Sequence, residues 1–330
     1  MRRRELIAAV RAGVEAGIPL EELGSLRDLP RSDRVEIIIE FYWKKNGERP
    51  SLYTINLASK LLALARNEAL SGEEIERLDE IRVSLEEHRT TGLTEKNRTL
   101  IRQIAHGDVW RKVVRLPQKL IAKATAKLQT LPVKAAVTAQ LAIAILILIR
   151  APIRMQNLAS IRIGINLIRP GGPGTLYMLV FPDYDVKNGV PLEFEFDEST
   201  TSLIDEYIQQ HRPQLMRGFN HDWLFPGEAQ GPKVAKTLSE QISERLWKEL
   251  GLEITPHQFR HAAAYIMLKA DSGNYELVRR VLGHRSSATT RNFYIALESL
   301  DATRLFGEMV TEMERGEPPT KPHPRKKTHA

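Results

Sequence analysis

Apolar positions recur at helical spacing through the first third of the chain. Leu6, Val10 and Val14 fall on one face, as do Val35, Ile38 and Ile39, and then Leu57, Leu61, Leu62 and Leu64. Ser71-Gly72-Glu73-Glu74 and Thr94-Glu95-Lys96 read as helix starts, because a hydroxyl followed by acidic residues suits the open N–H groups of a first turn. Residues 1 to about 106 are therefore expected to be wholly helical, with no internal repeat. Gly107-Asp108 interrupts the pattern, and a basic stretch follows: Arg111, Lys112, Arg115, Lys119, Lys123 and Lys127. The domain boundary is placed there, near residue 112.

The second part changes texture. The most apolar run, Ala135 to Ile149, is interrupted by Thr138 and Gln140. It falls short of the roughly 20 residues needed to cross a bilayer, so a buried helix is expected and no membrane partner. Tyr177 to Phe181 is rich in strand formers, and Val190, Leu192, Phe194 and Phe196 alternate with Pro191, Glu193 and Glu195 at the period of a half-buried strand. Asn188-Gly189 ahead of that strand is a hairpin-turn signal, which puts Lys187 at or beside the turn. From Ser199 onward the pattern is helical again, with a loop around Pro226 to Pro232. The Pro-rich, basic tail from Gly316 is expected to be disordered.

Composition narrows the partners. The 330 residues are enough for two domains. A net charge of +7 favours a polyanionic partner. The absence of cysteine excludes disulfides, thiolate zinc sites and cysteine nucleophiles, and fits a reducing compartment. Met1-Arg2-Arg3-Arg4 runs into Glu5 and an ordinary amphipathic pattern rather than a secretory signal, so a cytoplasmic, nucleoid-associated location is expected.

Chemistry concentrates between His257 and Tyr294. The segment TPHQFRHAAAYIML puts His257 and Arg260 three residues apart, on one face of a helix. VRRVLGHRSSATTRNFY then brings Leu282-Gly283-His284 and, after a Ser/Thr-rich turn, Tyr294. Phosphate-directed donors followed by a hydroxyl nucleophile suggest phosphoryl transfer through tyrosine. Over roughly residues 113–300 the chain resembles the tyrosine recombinase (phage integrase) family. The family's first arginine matches Arg154 in Ile153-Arg154-Met155-Gln156-Asn157-Leu158, although Asn157 stands where the family often has an acidic residue. Its hairpin lysine matches Lys187, its histidine–arginine motif His257 and Arg260 (with His261 after, as is common), its leucine–glycine–histidine motif His284, and its nucleophile Tyr294.

The resemblance implies a fold and a reaction. The fold would be an N-terminal all-α (SAM-like, core-binding) domain over 1–112, a C-terminal mixed α+β catalytic domain over 113–315, and a tail over 316–330. The reaction would be site-specific DNA strand cleavage and rejoining through a 3′-phosphotyrosyl intermediate, with no metal, ATP or other cofactor. Arg154 and Arg260 offer planar charged forks to the phosphate oxygens, and His284 donates a hydrogen bond. His257 takes the tyrosine proton and Lys187 supplies one to the leaving oxygen. Double-stranded recombination sites, a homo-tetramer on paired DNA and a place in a mobile element are the partners and setting implied. Arg111, Lys112, Arg115, Lys119 and Lys123 are expected to contact the DNA backbone.

Each residue alone has a plainer reading. Arg154 could cap an apolar helix, Lys187 could be a solvated turn lysine, Tyr294 a core aromatic, and Leu282-Gly283-His284 a helix end. Their joint order favours the catalytic one. The alternatives kept open are a catalytically inactive DNA-binding regulator and type IB topoisomerase-like resealing. A metal-dependent nuclease ranks lower, because no spaced carboxylate cluster is evident. Leu300, Leu305, Phe306, Val310 and Met313 predict an amphipathic terminal helix, packed on its own domain or on a neighbouring protomer.

Overall fold

The computed structural model describes residues 1, 3–49, 51–89, 93–105, 108–286, 290–291, 306–307 and 309–315. The chain divides into two compact units, Met1–Thr91 and a second one beginning at Gly92.

In the first unit the described α-helices are α1 (Arg3–Glu15), α2 (Ser32–Lys45), α3 (Leu52–Asn67) and α4 (Gly72–Glu86). Val35, Ile38 and Ile39 of α2 and Leu57, Leu61 and Leu62 of α3 are buried, as their spacing predicts. The Ser71 side chain accepts from the Glu74 N–H and caps α4. Helix α1 departs from expectation: Ala9, Ala12 and Gly13 form its buried face and Val14 is exposed. A Cβ on Gly13 would stand 2.8 Å from Leu23 Cδ1. The helix approaches its neighbours too closely at that point for a branched side chain.

The second unit begins with α5 (Glu95–Ala105), whose Leu100, Ile101 and Ile104 belong to the core built around α6 (Val109–Thr125) and α7 (Pro132–Arg150). The helix expected to close the N-terminal domain thus opens the second unit instead. The division falls ahead of residue 112 because the apolar stripe of α5 is buried against α11 (Pro256–Ala270) and α6. Helix α7 is long and apolar enough to cross a membrane, yet twelve of its nineteen residues are buried in this core. Its polar interruption is satisfied: Gln140 accepts from Lys233 Nζ at 2.7 Å and donates to the Pro226 carbonyl at 3.4 Å.

After α8 (Met155–Ala159) come β1 (Leu167–Ile168), β2 (Met178–Phe181) and β3 (Leu192–Glu195), an antiparallel sheet in the order β1-β2-β3 with Phe181 opposite Leu192. Leu192 and Phe196 are buried while Glu193 and Glu195 are exposed, the alternation read from the sequence. The connection between β2 and β3 is longer than a two-residue hairpin loop. It holds a short helical turn at Asp183–Asp185 and a β-turn in which the Gly189 N–H donates to the Val186 carbonyl at 2.8 Å. Gly189 takes the left-handed φ of +61° and Asn188 does not, so the pair ends a four-residue turn. Helices α9 (Glu198–Glu206), α10 (Ala235–Leu250) and α12 (Tyr275–Leu282) complete the named elements. Phe306, Val310 and Met313 are exposed on helical backbone; Leu300, Leu305 and the tail from Gly316 lie outside the described residues.

Candidate active site

Arg154 sits at the N-cap of α8 in extended backbone (φ −75°, ψ 151°), immediately after the buried Pro152-Ile153 segment that leaves α7. Burial lowers its pKa from the ordinary arginine value. Its Nη1 is buried and has no hydrogen-bond partner among the described residues. A desolvated guanidinium N–H without an acceptor is costly, and an anion would remove that cost. Three residues on, Asn157 Nδ2 donates to the Asp185 carbonyl at 2.9 Å. The amide therefore ties α8 to the β2–β3 connection, a bond that a carboxylate at this position could not donate.

Helix α11 presents the histidine–arginine pair. Thr255 and Gln258 form a reciprocal capping box, with the Thr255 N–H donating to Gln258 Oε1 at 2.9 Å and Pro256 in the first turn. His257 is exposed, whereas Arg260 is 3% exposed. Arg260 Nη1 donates to the Pro152 carbonyl at 2.6 Å and Nη2 to the Leu282 carbonyl at 2.7 Å. One guanidinium thus clips the segment before Arg154 to the end of α12. His284 follows the left-handed Gly283 (φ +60°), which caps α12 and touches β3: a Cβ there would meet Leu192 Cδ2 at 2.8 Å.

The charges converge. His257 is accessible at its surface, but the atoms packed around the imidazole desolvate it, and this, followed by Arg260 and Arg154, lowers its pKa. Burial, followed by Arg260, Arg154 and His257, pushes His284 down to about 4. Both imidazoles are therefore neutral at neutral pH, and Arg154 and Arg260 act on both. Arg260 Nη2 lies 3.4 Å from His284 Nε2. A guanidinium only donates, so Nε2 accepts and Nδ1–H faces Thr290 Oγ1 at 2.9 Å.

Lys187 is exposed at the second position of the Val186–Gly189 turn. That turn is tied to the His284 region, because Asn188 Nδ2 donates to the Gly283 carbonyl at 3.1 Å. Tyr294 lies outside the described residues. Arg111, Arg115, Lys119 and Lys123 form an exposed stripe on α6 with Lys112 beside it, opposite the buried Val113, Leu116, Leu120 and Ala124. Part of the stripe is engaged within the protein: Arg111 pairs with Asp108 at 3.4 Å and Lys123 with Glu249 at 2.6 Å.

Support for α11 comes from residues that the motif reading passed over. Gln258 Nε2 donates to Asn97 Oδ1 at 3.2 Å, and Asn97 Nδ2 meets His261 Nε2 at 3.1 Å. His261 is buried and held down to about 3 by desolvation, then by His257, Arg260 and His284. Its ring packs edge-on against His257 with centroids 5.2 Å apart. Thr255-Pro256-His257-Gln258 carried a legible capping-box signal. Asn97 carried none, because its partners are more than 160 residues away in sequence.

Two guanidiniums and two neutral imidazoles, with a hairpin lysine on an adjoining turn, can hold a phosphate-sized anion and accept a proton beside it. Residues 118–300 match the phage integrase family. The tyrosine recombinase XerC of Roseiflexus sp. is 33% identical over 108 residues, covering 32% of this chain and 34% of its own. A Sinorhizobium fredii protein named an integrase/recombinase is 30% identical over 123 residues, 36% of this chain and 37% of its own. The chain thus aligns over about a third of the length of these curated relatives. The XerH site-specific recombinase in its post-cleavage complex has a TM-score of 0.47 at 14% identity, covering 94% of this chain and 96% of that one. The family match takes in more than half of the chain and runs from α6 past Arg154, Lys187, His257, Arg260 and His284, so this chain belongs to the phage integrase family of tyrosine recombinases.

Proposed function

We propose that the chain is a site-specific DNA recombinase that cleaves and rejoins strands through a 3′-phosphotyrosyl intermediate. The observation that carries this reading is the unpartnered, buried Nη1 of Arg154 beside Arg260, His257 and His284. Such a cluster is stabilised by a phosphodiester, whose non-bridging oxygens accept from both guanidiniums. Tyr294 Oη attacks phosphorus and forms the O–P bond, while the bond from phosphorus to the 5′ oxygen breaks. The tyrosine proton passes to His257, which is neutral and free to take it. Lys187 gives a proton to the departing 5′ oxygen. The phosphotyrosyl ester keeps the bond energy, so a 5′ hydroxyl can attack it in turn and reseal the strand without ATP.

The wider assignments rest on the same reading. Double-stranded recombination sites are the substrate, with the helical first unit and the second unit each binding DNA. The α6 stripe contacts backbone phosphates, and a homo-tetramer assembles on paired sites. The test is denaturant-resistant capture of protein–DNA adducts from expressing cells, wild type against Tyr294→Phe, with sequencing of the attached DNA. Wild type alone should carry DNA of a discrete sequence. Reversible crosslinking to specific DNA without any covalent adduct would overturn the proposal in favour of a non-catalytic DNA-binding protein.

A further inference from the structure

Three successive carbonyls at the end of α12 are each taken by a side chain. The Leu282 carbonyl accepts from Arg260 Nη2 at 2.7 Å, that of Gly283 from Asn188 Nδ2 at 3.1 Å, and that of His284 from Arg279 Nη1 at 3.1 Å. Arg260 and Arg279 belong to the helices that form this corner. Asn188 does not: it comes from the β2–β3 connection, one residue after Lys187. The bond is returned, because Arg285 Nε donates to the backbone carbonyl of Asn188. Residue 188 thus holds residue 283 while residue 285 holds residue 188, on either side of His284. Gly189 leaves room for the clasp, since a Cβ there would lie 3.2 Å from the second Nη of Arg285.

We propose that Asn188 and Arg285 are positioning residues that latch the Lys187 turn onto the His284 turn. The latch holds the lysine beside the corner that carries His284, so that both border one phosphate. This rests on the assignment of Lys187 as proton donor under Proposed function. The bonds that make the latch both end on backbone carbonyls, those of Gly283 and Asn188. A lysine at the tip of an exposed turn samples many positions, and proton transfer requires hydrogen-bond reach. Two hydrogen bonds from one neighbouring turn restrict that motion. The arrangement also explains why an arginine directly after His284 is used on a carbonyl across the gap.

The test uses full-length protein and nicked duplexes of the captured sequence, with either an ordinary scissile phosphodiester or a 5′-bridging phosphorothiolate. Sulfur leaves as a thiolate and needs no proton donor. On the ordinary duplex, Arg285→Ala and Asn188→Asp should slow single-turnover cleavage by about tenfold to a hundredfold. On the phosphorothiolate both should return to near the wild-type rate, as Lys187→Ala should. The double variant Lys187→Ala/Arg285→Ala should be no slower than Lys187→Ala alone. Equal slowing on both duplexes, or additive losses, would overturn the proposal. A second arm needs no DNA: in the free protein, cleavage after Lys187 by a lysine-specific protease should be several-fold faster in Arg285→Ala and Asn188→Asp. An unchanged rate sinks the latch, provided thermal melts show all variants folded. Wild type that attacks neither duplex removes the recombinase reading and the role of Lys187 with it, while the protease arm still decides whether the clasp holds the turn.

Discussion

Arg154 has a buried Nη1 without a hydrogen-bond partner among the described residues. Replacing it by lysine keeps one charge and removes the planar fork. Arg154→Lys should lower single-turnover cleavage by on the order of 10²–10³. Its unfolding free energy should stay within about 0.5 kcal/mol of wild type or rise, because Nη1 makes no hydrogen bond to the described residues. A large loss of stability would show that the arginine is a structural cap. His261 supplies a prediction in pH. Its folded pKa, about 3, lies below the ordinary 6.5, so the unfolded chain binds the proton more readily. Its stabilising contribution is complete above pH 6.5 and is lost as pH falls from there toward 3, with a slope of at most about 1.4 kcal/mol per pH unit. Urea denaturation between pH 7 and 4 should show this loss in wild type and a shallower slope in His261→Gln.

At the scale of elements, the site depends on where helices end. Helix α11 begins at a capping box that Asn97 of α5 extends, and α12 ends at Gly283, which rests on β3. Gly283→Ala combines a left-handed φ with a Cβ 2.8 Å from Leu192 Cδ2. It should destabilise the second unit by about 1–3 kcal/mol and displace His284, read as a lower denaturation midpoint together with slower cleavage. Shortening the contact with Leu192→Ala on the same background should recover little, since the φ cost remains and a cavity is added. The β2–β3 connection follows the same logic. Asn157 holds its start through Asp185 and Asn188 holds its turn through Gly283, so both ends are tied to helices that carry site residues.

At the scale of the whole molecule, the division at Thr91/Gly92 assigns α5 to the second unit. A fragment of residues 92–330 should therefore melt cooperatively. One of residues 113–330 should not, because it lacks Leu100, Ile101 and Ile104 from the core and Asn97 from the α11 network. Differential scanning calorimetry of the two fragments separates the outcomes; equal melts would place α5 outside the cooperative unit. The charge surplus acts at this scale as well. If the α6 stripe contacts backbone phosphates, replacing Arg115 and Lys119 by alanine should flatten the salt dependence of DNA binding by nearly two counterions without changing which sequence is captured.

Periodicity along the chain was enough for the presence of the first unit's helices, though not for the buried face of α1, and for the alternating strand around Leu192 and the buried nature of α7, because those patterns arise from local geometry meeting an apolar core. The order of Arg154, Lys187, His257, Arg260, His284 and Tyr294 was enough to name the family. Tertiary structure decided what connects residues far apart in sequence. Arg260 spans Pro152 and Leu282, Asn97 reaches His261, and Asn188 holds Gly283, and no spacing rule relates such pairs. It also decided the domain division, since the stripe on α5 is equally apolar whichever core receives it. The lowered pKa values of His257 and His284 likewise exist only in the fold, because desolvation and the fields of two arginines require the chain to bring those groups together.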